Sequence, residues 1–224
     1  MPVTEKPTNN SFIKIAMLCI LGLLIAAAIA FYFIKPIIVK DHLPKPINID
    51  TSNQPKLGKS HVKIHLVAFE DLKCSNCARF NVEVFPYIKK QFIDTGVANY
   101  TLINLAFVPG SMPAANAARC VYMQNKKLFF DFTEYLFQNQ PPENQDWATV
   151  PTLMMDAGKI KGINTDQLAQ CLVSNPYESF IQNNLKIAIK AMGQQVETPA
   201  LYINGIKVDP LTKEQINIII KAIQ

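Results

Sequence analysis

The chain has 224 residues, 49% of them hydrophobic and 17% charged, a balance that excludes intrinsic disorder and fits one globular core with an appendage. Its net charge of +5 comes almost wholly from lysines scattered along the chain, Arg79 and Arg119 being the two arginines. No basic stripe is present, so the pattern argues against a nucleic-acid partner.

From Ile15 to Ile34 no residue is charged, and about 20 apolar residues in a helix suffice to cross a bilayer. Two readings fit this segment. Ala28-Ile29-Ala30 offers the small-x-small pattern of a cleavable signal, whereas the run on through Phe31, Tyr32, Phe33 and Ile34 fits a retained anchor with an interfacial aromatic belt. The anchor is the preferred reading. It divides the chain into an N-terminal tail (1–14), a transmembrane helix (15–34), a linker (35–60) and a folded domain (61–224). Cys19 becomes a membrane-buried thiol, and Leu18 before it is too large for a lipoprotein signal. Lys6 and Lys14 precede the segment while Lys35, Lys40 and Lys45 follow it, so lysine balance does not favour a cytoplasmic N-terminus. Residues 41–60, with Pro44, Pro46 and Pro55 among polar residues, lack apolar periodicity and read as a semi-extended tether.

Val62 to Phe69 reads as a buried strand that breaks at Glu70-Asp71. Cys77, Phe80, Val84, Ile88 and Phe92 then recur at helical spacing, with Pro86 predicting a kink and Asp94-Thr95-Gly96 an end. A second strand runs from Val97 to Val108 and stops at Pro109-Gly110, completing a β-α-β unit. An all-helical block follows over about 112–193. The sheet pattern resumes at Ala200-Leu201-Tyr202-Ile203, turns at Asn204-Gly205 and returns through Ile206-Lys207-Val208. Thr212 and Gln215 read as a capping box for a last helix faced by Ile216, Ile219, Ile220 and Ile223. The whole is an α/β layer fold with a helical lid.

The chemistry centres on Cys74-Ser75-Asn76-Cys77 at the strand-to-helix junction. A cysteine at a helix N-terminus meets free N–H groups and the positive end of the dipole, which lower its pKa. Cys77 falls one turn later, where it can resolve a mixed disulfide formed at Cys74. The first thiol is expected exposed and the second shielded. The same spacing also serves half a zinc site or an inert thiol pair. The other candidate ligands are His42, His61, His65, Cys120 and Cys171, and they supply no second pair at ligand spacing. Thr198-Pro199 directly before the hairpin reads either as a plain turn or as a cis-proline loop that faces the two cysteines and offers the Thr198 backbone to an extended substrate.

These residues together resemble the DsbA-like thiol:disulfide oxidoreductases, more closely the membrane-tethered BdbD type than the soluble enterobacterial type. The resemblance runs from about His61 to the end. It rests on Asp71-Leu72-Lys73-Cys74-Ser75-Asn76-Cys77, on Ala114-Ala115 through Cys120, on Phe129-Phe130 to Gln140, and on Thr198-Pro199-Ala200-Leu201-Tyr202-Ile203-Asn204-Gly205. It implies a thioredoxin fold with an inserted helical domain, Cys74 as attacking thiol, Cys77 as resolving thiol and Pro199 as the cis proline, with no cofactor or metal. Relatives commonly carry a buried glutamate six residues before the first cysteine, where this chain has Ala68. Glu70, two residues on, either takes that place or is a loop carboxylate. Ser75 and Asn76 bring no histidine between the cysteines, which implies a milder oxidant than histidine-bearing relatives. Cys120 and Cys171 are either buried inert thiols or a second disulfide, as matching helices of several relatives carry cysteines.

The function so implied is an oxidase anchored in the cytoplasmic membrane as a single-pass protein, its catalytic domain facing the periplasm or cell exterior. It would donate a disulfide to reduced, unfolded secreted or envelope proteins and be reoxidised by a membrane oxidase of the DsbB or VKOR type. The alternatives are a disulfide reductase or isomerase, or a non-catalytic client-binding module in which the cysteine pair is a structural staple.

Overall fold

The computed structural model describes residues 10–41 and 43–224. Residues 1–9 and His42 lie outside the described residues, as do the side chains of Phe31, Tyr32, Phe33 and Ile34, on which the aromatic-belt reading rests.

The first helix, α1, spans Asn10–Asp41. Within it Ile13–Ala30 has a mean hydropathy of 2.6 and contains no buried residue, so this apolar surface is not covered by any of the other described residues. The helix continues beyond the expected boundary at Ile34, into what reads as linker. The sheet is built from β1 (Lys56–Leu57), β2 (Ile64–Asp71), β3 (Ala98–Leu105), β4 (Ala200–Ile203) and β5 (Ile206–Lys207), in the spatial order β1-β3-β2-β4-β5. β2 and β3 are parallel and in register from Ile64↔Ala98 to Asp71↔Leu105, while the other pairs are antiparallel.

Between β2 and β3 lie α2 (Ser75–Glu83), α3 (Phe85–Ile88) and a π-helical turn over Lys89–Ile93. The kink expected of Pro86 is a break at Val84, one position before the pair Phe85-Pro86 opens α3, because proline fits a first helical turn and not an interior one. Five helices separate β3 from β4: α4 (Met112–Gln124), α5 (Leu128–Gln138), α6 (Val150–Ala157), α7 (Thr165–Ser174) and α8 (Glu178–Met192). The closing helix α9 (Lys213–Ile223) realises half of the expected capping box. Thr212 Oγ1 accepts from the Gln215 amide at 3.2 Å, but the Thr212 amide donates to the Pro210 carbonyl at 2.9 Å instead of to the Gln215 side chain.

Strand alternation divides the core. Leu66, Ala68, Tyr100, Leu102, Leu201 and Ile203 point to the face covered by α2, α4, α5 and α9, and Val67, Phe69, Ile103, Leu105 and Tyr202 point to the face covered by α8. The parallel pair is buried on both sides except at His65, and its apolar sequence is interrupted by Glu70 and Asp71 in β2 and by Asn99, Thr101 and Asn104 in β3.

The tether expected over 41–60 is largely part of the folded domain. Leu43, Ile49 and Leu57 pack against the two cores, Gln54 is buried, and Lys56-Leu57 pairs with Thr101 and Tyr100 as an edge strand. The Ile47 amide donates to the Gly205 carbonyl at 3.0 Å, and a Cβ on Gly205 would stand 2.1 Å from the Ile47 carbonyl oxygen. Gly205, at φ +82°, therefore serves both the hairpin turn and this close approach. An irregular segment held by backbone bonds and single apolar anchors has no period, which is why composition alone reads it as a linker.

Candidate active site

The C-terminal end of β2 delivers the chain to the site. Asp71 is buried there and fixes the turn that follows: its Oδ1 accepts from the Lys73 amide at 2.9 Å, and its Oδ2 accepts from the amides of Phe107 and Val108 at 3.0 Å each and from Ser111 Oγ at 2.9 Å. One carboxylate thus ties the β2–α2 turn to the β3–α4 loop. Burial nonetheless moves its pKa upward, against those four donors. The Lys73 ammonium adds a second tie, donating to the Pro109 carbonyl at 2.8 Å.

Cys74 is the N-cap of α2, with extended backbone (φ −74°, ψ 121°), so its sulfur stands at the free N–H end of the helix. Its thiol lies 3.6 Å from the Thr198 carbonyl oxygen, the acceptor of its hydrogen bond. Cys77 lies one turn on, and both are free thiols. Cys74 is 7% exposed and Cys77 0%. The first thiol is therefore less open than expected, because the Thr198 loop lies against it. The Thr198–Pro199 peptide bond is cis, as is Asp209–Pro210.

The pKa values of the two thiols are driven apart. The Cys77 thiol, hydrogen-bonded to the Cys74 sulfur, is the main cause holding the Cys74 pKa down to about 6; burial opposes it, and the Thr198 side chain and the amides of Cys77 and Asn76 reinforce it. Cys77 is pushed well above its ordinary value, first by burial, then by its bond to Cys74 and by the negative charge of Glu70.

Glu70 is a residue of β2 rather than of a loop, 1% exposed, on the same face of the strand as Ala68. It accepts from Tyr100 Oη and from Asn81 Nδ2, and Asn81 Nδ2 also donates to the Cys77 carbonyl at 3.0 Å. Burial raises the Glu70 pKa to about 7 despite these two donors. Between pH 4.5 and pH 7 the native protein therefore keeps a proton that the unfolded chain has released, so raising the pH favours unfolding. Relative to a Glu70→Gln protein, the reduced wild type is expected to lose stability across that window, by about 3 kcal/mol in total. Urea unfolding of both proteins at pH 4.5 and pH 7.5 measures this, and a difference that stays constant with pH would contradict the assignment.

The structure brings Cys74, Cys77, Ser75, Asn76, Glu70, Thr198 and Pro199 into one place. It sets Cys120 and Cys171 apart from it, joined in a disulfide between α4 and α7 with a Cα–Cα separation of 6.1 Å. The zinc alternative thereby loses two ligands, and His65 is engaged with Asn99 through Nδ1 at 2.9 Å. Among the described residues no group of three or more His, Cys, Asp or Glu stands ready to hold a metal. Sequence reasoning gives no site role to Asn81, Tyr100, Gln140 or Glu143. Gln140 Nε2 donates to the Leu72 carbonyl at 2.6 Å, and Glu143 Oε2 accepts from the Ser75 amide and hydroxyl at 2.8 and 2.9 Å. Tyr100 was legible only as an apolar strand residue, and nothing in a loop 68 residues downstream signals a contact with Ser75. Beside Cys74 a cleft of about 670 Å³ opens between Lys73, Ser75, Val108, Pro109, Pro142, Glu143 and Asn144.

A family model described as Thioredoxin matches residues 50–222. Disulfide bond formation protein D of Bacillus subtilis (strain 168) is 36% identical over 157 residues, covering 67% of this chain and 68% of that protein. The crystal structure of oxidised BdbD from Bacillus subtilis superposes with a TM-score of 0.73 at 30% identity, covering 80% of this chain and 97% of that one. The crystal structure of Chlamydia trachomatis DsbA gives a TM-score of 0.71 at 31% identity, covering 79% and 95%.

Proposed function

The chain belongs to the DsbA-like thiol:disulfide oxidoreductases of the thioredoxin family, and from that premise we propose that it is a membrane-anchored oxidase whose Cys74–Cys77 disulfide passes to reduced proteins outside the cytoplasm. The observation that carries the reading is the pairing of an N-cap thiol held down to about 6 with a buried neighbour pushed far up.

In the donor direction a client thiolate attacks Cys74 of the oxidised pair. The Cys74–Cys77 bond breaks, a client–Cys74 mixed disulfide forms, and Cys77 leaves as a thiolate. A second client thiolate then attacks the client sulfur of the mixed disulfide, and Cys74 departs with the electron pair. The pair has gained two electrons and the client has gained a disulfide. A low-pKa thiol is the better leaving group, so the depressed Cys74 favours release of the oxidised client. Cys77 requires a proton on leaving. Glu70, poised near neutrality on the strand beneath it, is the group we assign to supply that proton and to take it back on reoxidation. This is the role that the resemblance attaches to a glutamate two residues earlier. The Thr198 carbonyl, the cleft beside Ser75 and Pro199 next to the first residue of β4 are the elements we assign to an extended client segment.

The Cys120–Cys171 disulfide favours an oxidising compartment, and the apolar surface of Ile13–Ala30, exposed among the described residues, suits a bilayer anchor. Reoxidation falls to a membrane oxidase of the DsbB or VKOR type, which would take both electrons from the reduced pair. The test is the redox state in intact cells, with thiols trapped by acid quench and alkylation at harvest. An oxidase is expected to hold Cys74 and Cys77 mostly oxidised, and to accumulate the reduced form when the membrane oxidase is removed. A pair found mostly reduced in otherwise normal cells would turn the reading to a reductase or isomerase.

A further inference from the structure

The loop between α5 and α6 reaches back across the active-site turn and grips it on both sides of the attacking thiol. Gln140 holds the carbonyl of Leu72, two residues before Cys74, and Glu143 holds the amide and hydroxyl of Ser75, the residue after it. Ser75 is the first residue of α2. Its amide is one of the few N–H groups that a helix start leaves free. The amides of Asn76 and Cys77, the next two, serve the Cys74 sulfur. The donors at this helix end are therefore divided between two acidic groups, the Glu143 carboxylate and the Cys74 thiolate.

The division has a redox consequence. The carboxylate is there in both redox states, whereas Cys74 carries a charge only when the pair is reduced. Two negative charges at one helix end disfavour each other, so a carboxylate on Ser75 weighs against the reduced form and leaves the disulfide untouched. Apart from Asp146, which borders Gly110 together with the Lys73 ammonium, the charged groups around the turn are already committed. Asp71 is taken by its four donors, the Lys73 ammonium by the Pro109 carbonyl, Glu70 by Tyr100 and Asn81, and Glu197, next to Thr198, by Lys207. Glu143 is only partly buried and borders the cleft beside Ser75.

We propose that Glu143 is a positioning residue through which the helical insertion restrains the oxidising strength of the Cys74–Cys77 pair. The proposal rests on the oxidoreductase reading and extends it to how the pair is tuned.

The test is equilibration of the full-length protein, in detergent, with glutathione buffers, comparing wild type with Glu143→Gln and Glu143→Ala. Glutamine keeps an oxygen that can accept from Ser75 but carries no charge, so it separates charge from grip. Glu143→Gln is expected to shift the equilibrium about two- to fivefold toward the reduced protein, the size of a charge effect at a helix end. That corresponds to a potential higher by about 10 to 20 mV for a two-electron couple. The pH midpoint of Cys74 alkylation should fall with it, and both shifts should shrink as salt is raised. Wild-type behaviour of Glu143→Gln, a shift in the opposite sense, or a shift confined to Glu143→Ala would each overturn the proposal while leaving the oxidoreductase reading standing. A wild-type protein that does not exchange with glutathione would remove both.

Discussion

Replacing Cys74 by serine is expected to bring disulfide exchange down to background, a loss on the order of a thousandfold or more, while replacing Cys77 leaves a protein that accumulates mixed disulfides with its clients. The asymmetry follows from the geometry. With a pKa of about 6, Cys74 is about 90% thiolate at pH 7, where an ordinary thiol is about 3% ionised. Cys77 has no exposed surface and a pKa pushed well upward, so it neither meets a client nor ionises readily. We assign it the resolving step, an attack on the adjacent Cys74 sulfur. Its thiol is also the main cause of the low Cys74 pKa. Cys77→Ala should therefore both trap clients and move the alkylation midpoint of Cys74 upward, whereas Cys77→Ser keeps a hydroxyl donor and should move it less. Stopped-flow reduction by a thiol peptide and the pH profile of alkylation measure the two effects. Substantial turnover by Cys74→Ser would end the oxidoreductase assignment, and an unmoved midpoint in Cys77→Ala would end the account of why Cys74 is acidic.

The second large effect concerns stability. The Cys120–Cys171 bond joins α4 to α7 across 51 residues of chain, and closing a loop of that length removes entropy from the unfolded ensemble worth about 4 kcal/mol. A Cys120→Ala/Cys171→Ala protein is expected to lose about that much. Its denaturant dependence should steepen as well, because the uncrosslinked chain unfolds to a more expanded ensemble. Urea unfolding of oxidised wild type and the double variant decides it, and a loss under about 1 kcal/mol would show that packing of Leu168, Leu172 and Val121 holds α4 and α7 together without the bond. Because the loop carrying Gln140 and Glu143 lies inside this cross-linked stretch, loosening α4 and α7 should also raise the exchange rate of the Ser75 amide with solvent.

The amino-acid sequence by itself determined the alternating β and α plan, the apolar N-terminal segment, the hairpin at Asn204-Gly205 and the placing of the thiols of Cys74 and Cys77 at the start of a helix. Each of these is written in neighbouring residues: a period of two or 3.6, a turn dipeptide, a thiol at a strand-to-helix junction. The extent of the folded domain was not written this way. Residues 43–60 join it through isolated anchors, Ile47 on Gly205 and Lys56-Leu57 on β3, which leave no periodic trace. The helix boundary at Val84 follows from Pro86, but how α2 ends and α3 begins depends on which side of the break buries Phe85 against Tyr100. Only the tertiary structure decided the surroundings of the sulfurs. Glu70 differs from a loop carboxylate because β2 extends to Asp71 and α2 closes over it. Tyr100, Asn81 and Glu143 reach the site from 11 to 68 residues away from their partners. A pKa depends on burial and on charges a few ångströms off, and those distances are set by packing between segments remote in the chain, so a sequence can name the reacting atoms while the fold sets how strongly they react.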